Sequence, residues 1–167
     1  MNRDTLDRAA ALAHAALDLE FDRVVATVAR DVAGLEAVER DLGEVLSALR
    51  HLGVRPPLRA IAENNALSVG EYAMLVVALM PLMAPDRFRA FAPDAQDSPA
   101  RASDALRLVA TVMGSQGTLF ADEAAFVHAL EATRLVTERL VVLAEGDDGE
   151  VLLLPHPAVL ELLGADG

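Results

Sequence analysis

Four histidines, His14, His51, His128 and His156, are the first residues to weigh for metal or acid–base chemistry. No two of them stand at i and i+4, and no HExxH motif occurs, so each falls singly in a different segment and the spacing assigns no metal site. His14 and His128 read as helix-surface residues, and His156, between two prolines, reads as an initiator of a last helix. The chain contains no GxxxxGK loop followed by Ser or Thr, no GxGxxG and no GxSxG, so nothing in it is built to cradle a nucleotide phosphate or activate a serine. The absence of cysteine removes disulfides, thiol catalysis and thiolate zinc, and fits a reducing cytoplasm. Asp147-Asp148-Gly149-Glu150 has calcium-like composition but lacks the alternating ligands of a twelve-residue loop between helices, and a hairpin turn explains it better. The local basic groupings, Arg87-Phe88-Arg89 and Arg101 to Arg107, are interleaved with Asp86, Asp94, Asp97 and Asp104. They read as an ion-pair surface. The residues therefore predict no enzyme, cofactor or metal.

Composition sets what must position these residues. Of 167 residues, 53% are hydrophobic but only 4% aromatic, with no Trp, so the core must be built from Ala, Leu and Val in close-packed helices. The 14 cations, all Arg, face 26 acids, and a net charge of −12 argues against nucleic acid and anionic membranes as partners. Arg3, Asp4, Asp7 and Arg8 give the amino terminus no signal-peptide layout. The apolar run Tyr72 to Pro85, interrupted by Pro81, falls short of the roughly 20 residues of a membrane span and reads as a buried helix. A cytoplasmic location follows as the expectation.

Apolar residues recur in steps of three and four from Leu17 through Val28, Leu35, Leu42 and Leu49 to Leu52, a helical stripe from about residue 5 to 52. Asp4 is its expected cap. Gly34 and Gly43 each weaken a helix by about 1 kcal/mol relative to Ala, so the pattern allows one helix or two with a break between Asp31 and Gly34. Gly53 and Val54-Arg55-Pro56-Pro57 mark the boundary between residues 1–53, a long amphipathic helical segment, and 54–167. Beyond it the pattern predicts a short helix from Leu58 to Glu63 and a capping box at Ser68 and Glu71. That box opens a very apolar helix ended by Pro81 and Pro85, and one or two turns follow over Asp86 to Phe91. A loop from Pro93 to Ala102 leads to a helix from Ser103 or Asp104 to Gly114, then to one marked by Phe120, Phe126, Val127 and Leu130. Arg139 to Ala144 and Glu150 to Leu154 form a β-hairpin signal around Glu145-Gly-Asp-Asp-Gly149, and a final helix runs from Ala158 to Leu163.

The order of helices, hairpin and closing helix is that of a winged-helix unit: a three-helix core, one β-hairpin and a closing helix within a mainly α bundle. Ser68-Val-Gly-Glu-Tyr-Ala-Met-Leu-Val-Val-Ala-Leu-Met-Pro81, Ala84-Pro-Asp-Arg-Phe88, the loop at Gln96-Asp-Ser-Pro99 with Asp104-Ala-Leu-Arg-Leu-Val109, Leu140-Val-Val-Leu143 and Pro157 to Gly164 carry a closer likeness. Over about residues 55 to 164 the chain resembles the winged-helix domain ahead of the ATPase core in a family of bacterial AAA+ ATPases. That family has a capping box of this kind opening an apolar helix, a D-P-R-Y-like turn, and a D-x-A-L-x-L helix before the wing; Phe88 stands here where an aromatic hydroxyl is usual. The chain ends at Gly167, where such an ATPase would continue, so the resemblance implies a stand-alone relative or an amino-terminal part.

The resemblance implies a non-enzymatic interaction module with a regulatory or substrate-engaging role, whose protein partner is an AAA+ core or its substrate. Residues 120–167 carry 2 arginines and 10 acids, a poor composition for a DNA-reading wing. The alternative is a winged-helix transcription regulator reading DNA through Ser103 to Met113, with Arg101 and Arg107 as contacts. A separate expectation concerns residues 17–52, which would extend about 54 Å as one unbroken helix. They self-associate or dock on a neighbouring subunit through Val28, Leu35, Leu42 and Leu49, or else fold back at Gly34 against residues 55–164. Calorimetry with ATP and Mg²⁺ is expected to show no saturable site, and a micromolar one would refute the reading of the phosphate motifs.

Overall fold

In the computed structural model, which describes residues 2–95, 98–113 and 122–164, the chain is mainly helical, with nine α-helices and one small antiparallel sheet among those residues. Gln96, Asp97, Gly114 and Phe120, used in the sequence reading, lie outside the described residues. Helix α1 spans Arg3–Ala29. Its cap is Asn2, not Asp4: the Asn2 side-chain oxygen accepts from the Thr5 amide at 2.8 Å, which leaves Asp4 in the first turn near the positive helix end.

The stripe is two helices. Arg30 adopts a left-handed backbone (φ 55°), with its amide closing on the carbonyls of Ala26 and Thr27. Asp31 then caps α2, Val32–His51, by accepting from the Gly34 amide at 3.0 Å. A Cβ at Gly34 would stand 2.3 Å from an Asp31 carboxylate oxygen, so a larger residue there would have to displace the capping side chain. Helix α2 folds back on α1, and Ala16, Leu42 and Leu49 form a small buried cluster between them. Phe21 and Val24 of α1 instead enter the main core with residues beyond 54. The fold-back thus covers the stripe partly with itself and partly with the rest of the chain.

Helix α3, Pro57–Asn64, starts on the proline expected there. Helix α4, Val69–Met83, opens on the predicted capping box: the Ser68 amide donates to Glu71 Oε1 at 2.9 Å and the Glu71 amide to Ser68 Oγ at 3.1 Å. Pro81 does not end this helix but lies inside it, removing only the bond its own N–H would have made one turn before the end. Met74 through Met80 are each 5% exposed or less, so α4 is apolar on every side and is the axis of the core. Helices α1, α5 (Pro85–Phe91) and α6 (Ala102–Met113) pack on it.

The stretch expected as a loop holds a 3-10 turn, Pro93–Ala95, and a two-residue strand, β1, Ala100–Arg101. Helix α7, Glu123–Glu131, is capped by Asp122, and a short α8, Arg134–Thr137, follows that the sequence pattern did not separate. The hairpin forms as predicted from β2, Val141–Glu145, and β3, Val151–Pro155, with Leu143 opposite Leu153. Strand β1 takes the free edge of β3 in the order β1-β3-β2, with Ala100 opposite the fully buried Leu153. Helix α9, Pro157–Leu162, is opened by His156, whose Nδ1 accepts from the Ala158 amide at 3.1 Å. No helix among the described residues is long and apolar enough to cross a membrane.

Glu71 also accepts from the Arg134 amide at 2.7 Å, so one carboxylate caps both α4 and α8. Partial burial pushes its carboxyl up, but the amides of Ser68 and Arg134 and the Ser68 hydroxyl outweigh this and hold it below the ordinary range. A carboxylate lowered on folding stabilises above the unfolded carboxylate range, and the contribution is lost as pH falls through the folded value. The stability gap between wild type and Glu71→Gln, measured by denaturant titration, is therefore expected at neutral pH and to close on acidification; a gap constant with pH would refute it.

Candidate functional site

Helix α1 carries one charge within its apolar stripe. Glu20 lies between Leu17 and Val24 in the three-and-four pattern, and at 5% exposure it is one of two buried ionic residues among those described. Arg59, on α3, reaches it with a 2.7 Å hydrogen bond from Nη2 to Oε1. The guanidinium also stands 5.9 Å from the centre of the Tyr72 ring on α4. The Tyr72 hydroxyl is buried beside this pair. Burial first, then the Glu20 charge, drives its ionisation far above the ordinary tyrosine range, so it stays a neutral phenol.

Three open spaces meet at Arg59. A cavity of about 360 Å³ lies between α1, α3 and α9, walled by Ala13, Leu17, Leu58, Met83 and Leu163, with His14 among its lining residues. Such a volume falls within the range of small-ligand pockets, about 300–1,000 Å³. On other sides of Arg59 are a groove of about 290 Å³ lined by Arg23 and Val69, and one of about 360 Å³ lined by Arg50, Arg55 and Glu63. An apolar cavity bordered by a fixed guanidinium suits recognition of an apolar group beside an anion. No group of three or more His, Asp or Glu among the described residues is placed to hold a metal.

Apart from His14, the residues weighed as partner or DNA contacts lie elsewhere. Leu42 and Leu49 are buried against α1 of their own chain, where the sequence reading placed a neighbouring subunit. Val28 packs half-buried on the main core, and Leu35 is half-buried on α2. Arg101 is clamped by Asp104, with bonds of 2.8 and 3.1 Å from two of its nitrogens, and also donates to Asp94 at 3.0 Å. The hydrogen bond with Asp104, foremost, raises its already high basicity further, and Asp94 is lowered in turn by Arg101. Arg107 lies 4.7 Å over the Phe91 ring and donates to the Phe91 carbonyl. Of the interleaved basic groupings, Arg89 meets Asp86 at 3.5 Å as expected, but Arg87 binds Asp22 at 2.6 Å and Asp18 at 3.5 Å on α1, and the Arg101–Asp104 pair is largely buried. Sequence reasoning missed the Glu20–Arg59 pair; the signal was a lone acid inside an apolar stripe.

Replacing Arg59 by Leu leaves the Glu20 carboxylate buried and unpaired, and is expected to lower stability by about 3 kcal/mol, the low end for such pairs because the cavity admits some water. Glu20→Leu combined with Arg59→Leu should recover most of that loss in denaturant titration. Equal losses in the single and double variants would refute it. No known protein family, curated protein or solved structure matches the chain.

Proposed function

We propose that this chain is a non-enzymatic protein-interaction module built on a winged-helix unit, similar in role to the regulatory or substrate-engaging domain of an AAA+ ATPase. The arrangement in its support is α4, α5, β1, α6, α7, α8, β2 and β3 in chain order, with the sheet ordered β1-β3-β2. The observation that carries the choice of a protein partner is the charge of the reading face. On this reading the helix that would face a groove is α7, where the sequence pattern alone pointed to Ser103 to Met113. Helix α7 exposes Glu123 and Glu131, and the hairpin exposes Glu145, Asp147 and Asp148 beside an exposed Val142. Carboxylates on both elements repel phosphate. Against the alternative, a DNA-binding regulator, stands Arg101, which is clamped by Asp104; Arg107 is exposed over the Phe91 ring. The AAA+ partner rests on the sequence resemblance alone.

A gel-shift with random and sequence-selected duplex DNA at physiological salt separates the two. The interaction reading expects no complex tighter than about 10⁻⁴ M, the weak edge of ordinary non-specific binding. A tight, sequence-dependent shift would overturn it.

A further inference from the structure

We propose that the grooves meeting at Arg59 bind a peptide segment in which apolar residues are followed by several carboxylates. The inference rests on the interaction-module reading for the partner being a protein, but it uses a different surface from the acidic hairpin. In a chain of net charge −12, the two grooves are lined by four arginines, Arg23, Arg50, Arg55 and Arg59, against the single acid Glu63. At physiological salt the screening length is about 8 Å, so the field in the grooves is set by these arginines and by the acids paired with two of them, Glu20 and Glu63. The Arg55–Glu63 contact, 3.4 Å between two exposed side chains, is of the weak surface kind that a partner carboxylate can replace.

Arg59 is the fixed point. Its bond to the buried Glu20 and its place over the Tyr72 ring orient the guanidinium, which has five N–H donors and uses one on Glu20. It borders both grooves and the apolar cavity, and Pro56 is shared between that cavity and the groove of Arg50 and Arg55. An apolar side chain seated against Ala13, Leu17 and Leu163 would therefore deliver the next residues of its own chain directly to Arg59, Arg55 and Arg50. Arg23 and Arg50 lie in separate grooves rather than converging on one point. Carboxylates distributed along a peptide match that spacing better than one compact phosphate, and planar guanidinium–carboxylate pairing supplies the geometry.

The test is fluorescence anisotropy of the full chain with a labelled twelve-residue peptide of two leucines followed by four glutamates. Control peptides replace the glutamates by lysines, or the leucines by serines. The glutamate peptide should bind saturably and the lysine peptide should not. Arg50→Glu with Arg55→Glu, both exposed and thus tolerated by the fold, should weaken binding about tenfold or more. Filling the cavity with Ala13→Leu should make the leucine and serine peptides bind alike. Thermal melts of both variants confirm that they are folded. No binding of the glutamate peptide, equal binding of the lysine peptide, or an unchanged affinity in the double arginine variant would overturn the proposal. Peptide binding together with a specific DNA shift would remove the interaction-module reading and leave this site standing, whereas failure here leaves the argument from the hairpin intact.

Discussion

Helix α4 must be covered on every side, and the rest of the fold follows from that requirement. A helix with one apolar stripe is satisfied by one neighbour, but seven consecutive buried residues from Met74 to Met80 demand neighbours all round. Helix α1 supplies one wall with Phe21 and Val24, α5 another with Phe88 and Phe91, α6 a third with Ala105 and Leu108, and the sheet closes the remainder through Leu153. Small residues at Ala100, Ala102 and Ala105, none of them exposed at all, let these walls approach closely. A core so poor in aromatics reaches native density by such interdigitation rather than by bulk.

Ion pairs then fix how the walls sit. Arg87 ties α5 to Asp18 and Asp22 of α1, and Arg59 ties α3 to Glu20 two turns or less from them. Arg101, with Asp104 and Asp94, holds β1 against the start of α6. Desolvating such pairs offsets much of their attraction, so their main effect is on geometry: a shift of α1 by one residue along α4 would bury charge without a partner. The main cavity lies where α1, α3 and α9 meet without filling the space between them. The Glu20–Arg59 pair that borders it belongs at once to the framework and to the surface offered for binding.

Charge is distributed unevenly over this framework. The arginines of residues 87–107 face acids or a ring of the same chain, and the acids after residue 120 crowd the last helices and the hairpin. Arginines gather around the α2–α3 junction instead. A molecule with an acidic face and a separate arginine-lined groove can discriminate partners by sign as well as by shape.

Composition and periodicity determined the mainly helical class, the hairpin and its turn, the capping box at Ser68 and Glu71, and the burial of Met74 to Met80, because each is a local rule that a few neighbouring residues satisfy by themselves. Where local rules compete, the sequence left alternatives: the stripe of residues 5 to 52 was equally consistent with a rod and a hairpin. The decision at Arg30 and Asp31 came from a left-handed residue followed by a side-chain cap over Gly34. Strand β1 was invisible because two residues carry no period, and it exists only because β3 offers it an edge. Pro81 stayed inside its helix because burial of the surrounding turn outweighed one missing hydrogen bond. The Glu20–Arg59 pair joins residues 39 positions apart, and that distance in sequence is closed only when tertiary packing brings α1 and α3 together beside Tyr72 of α4.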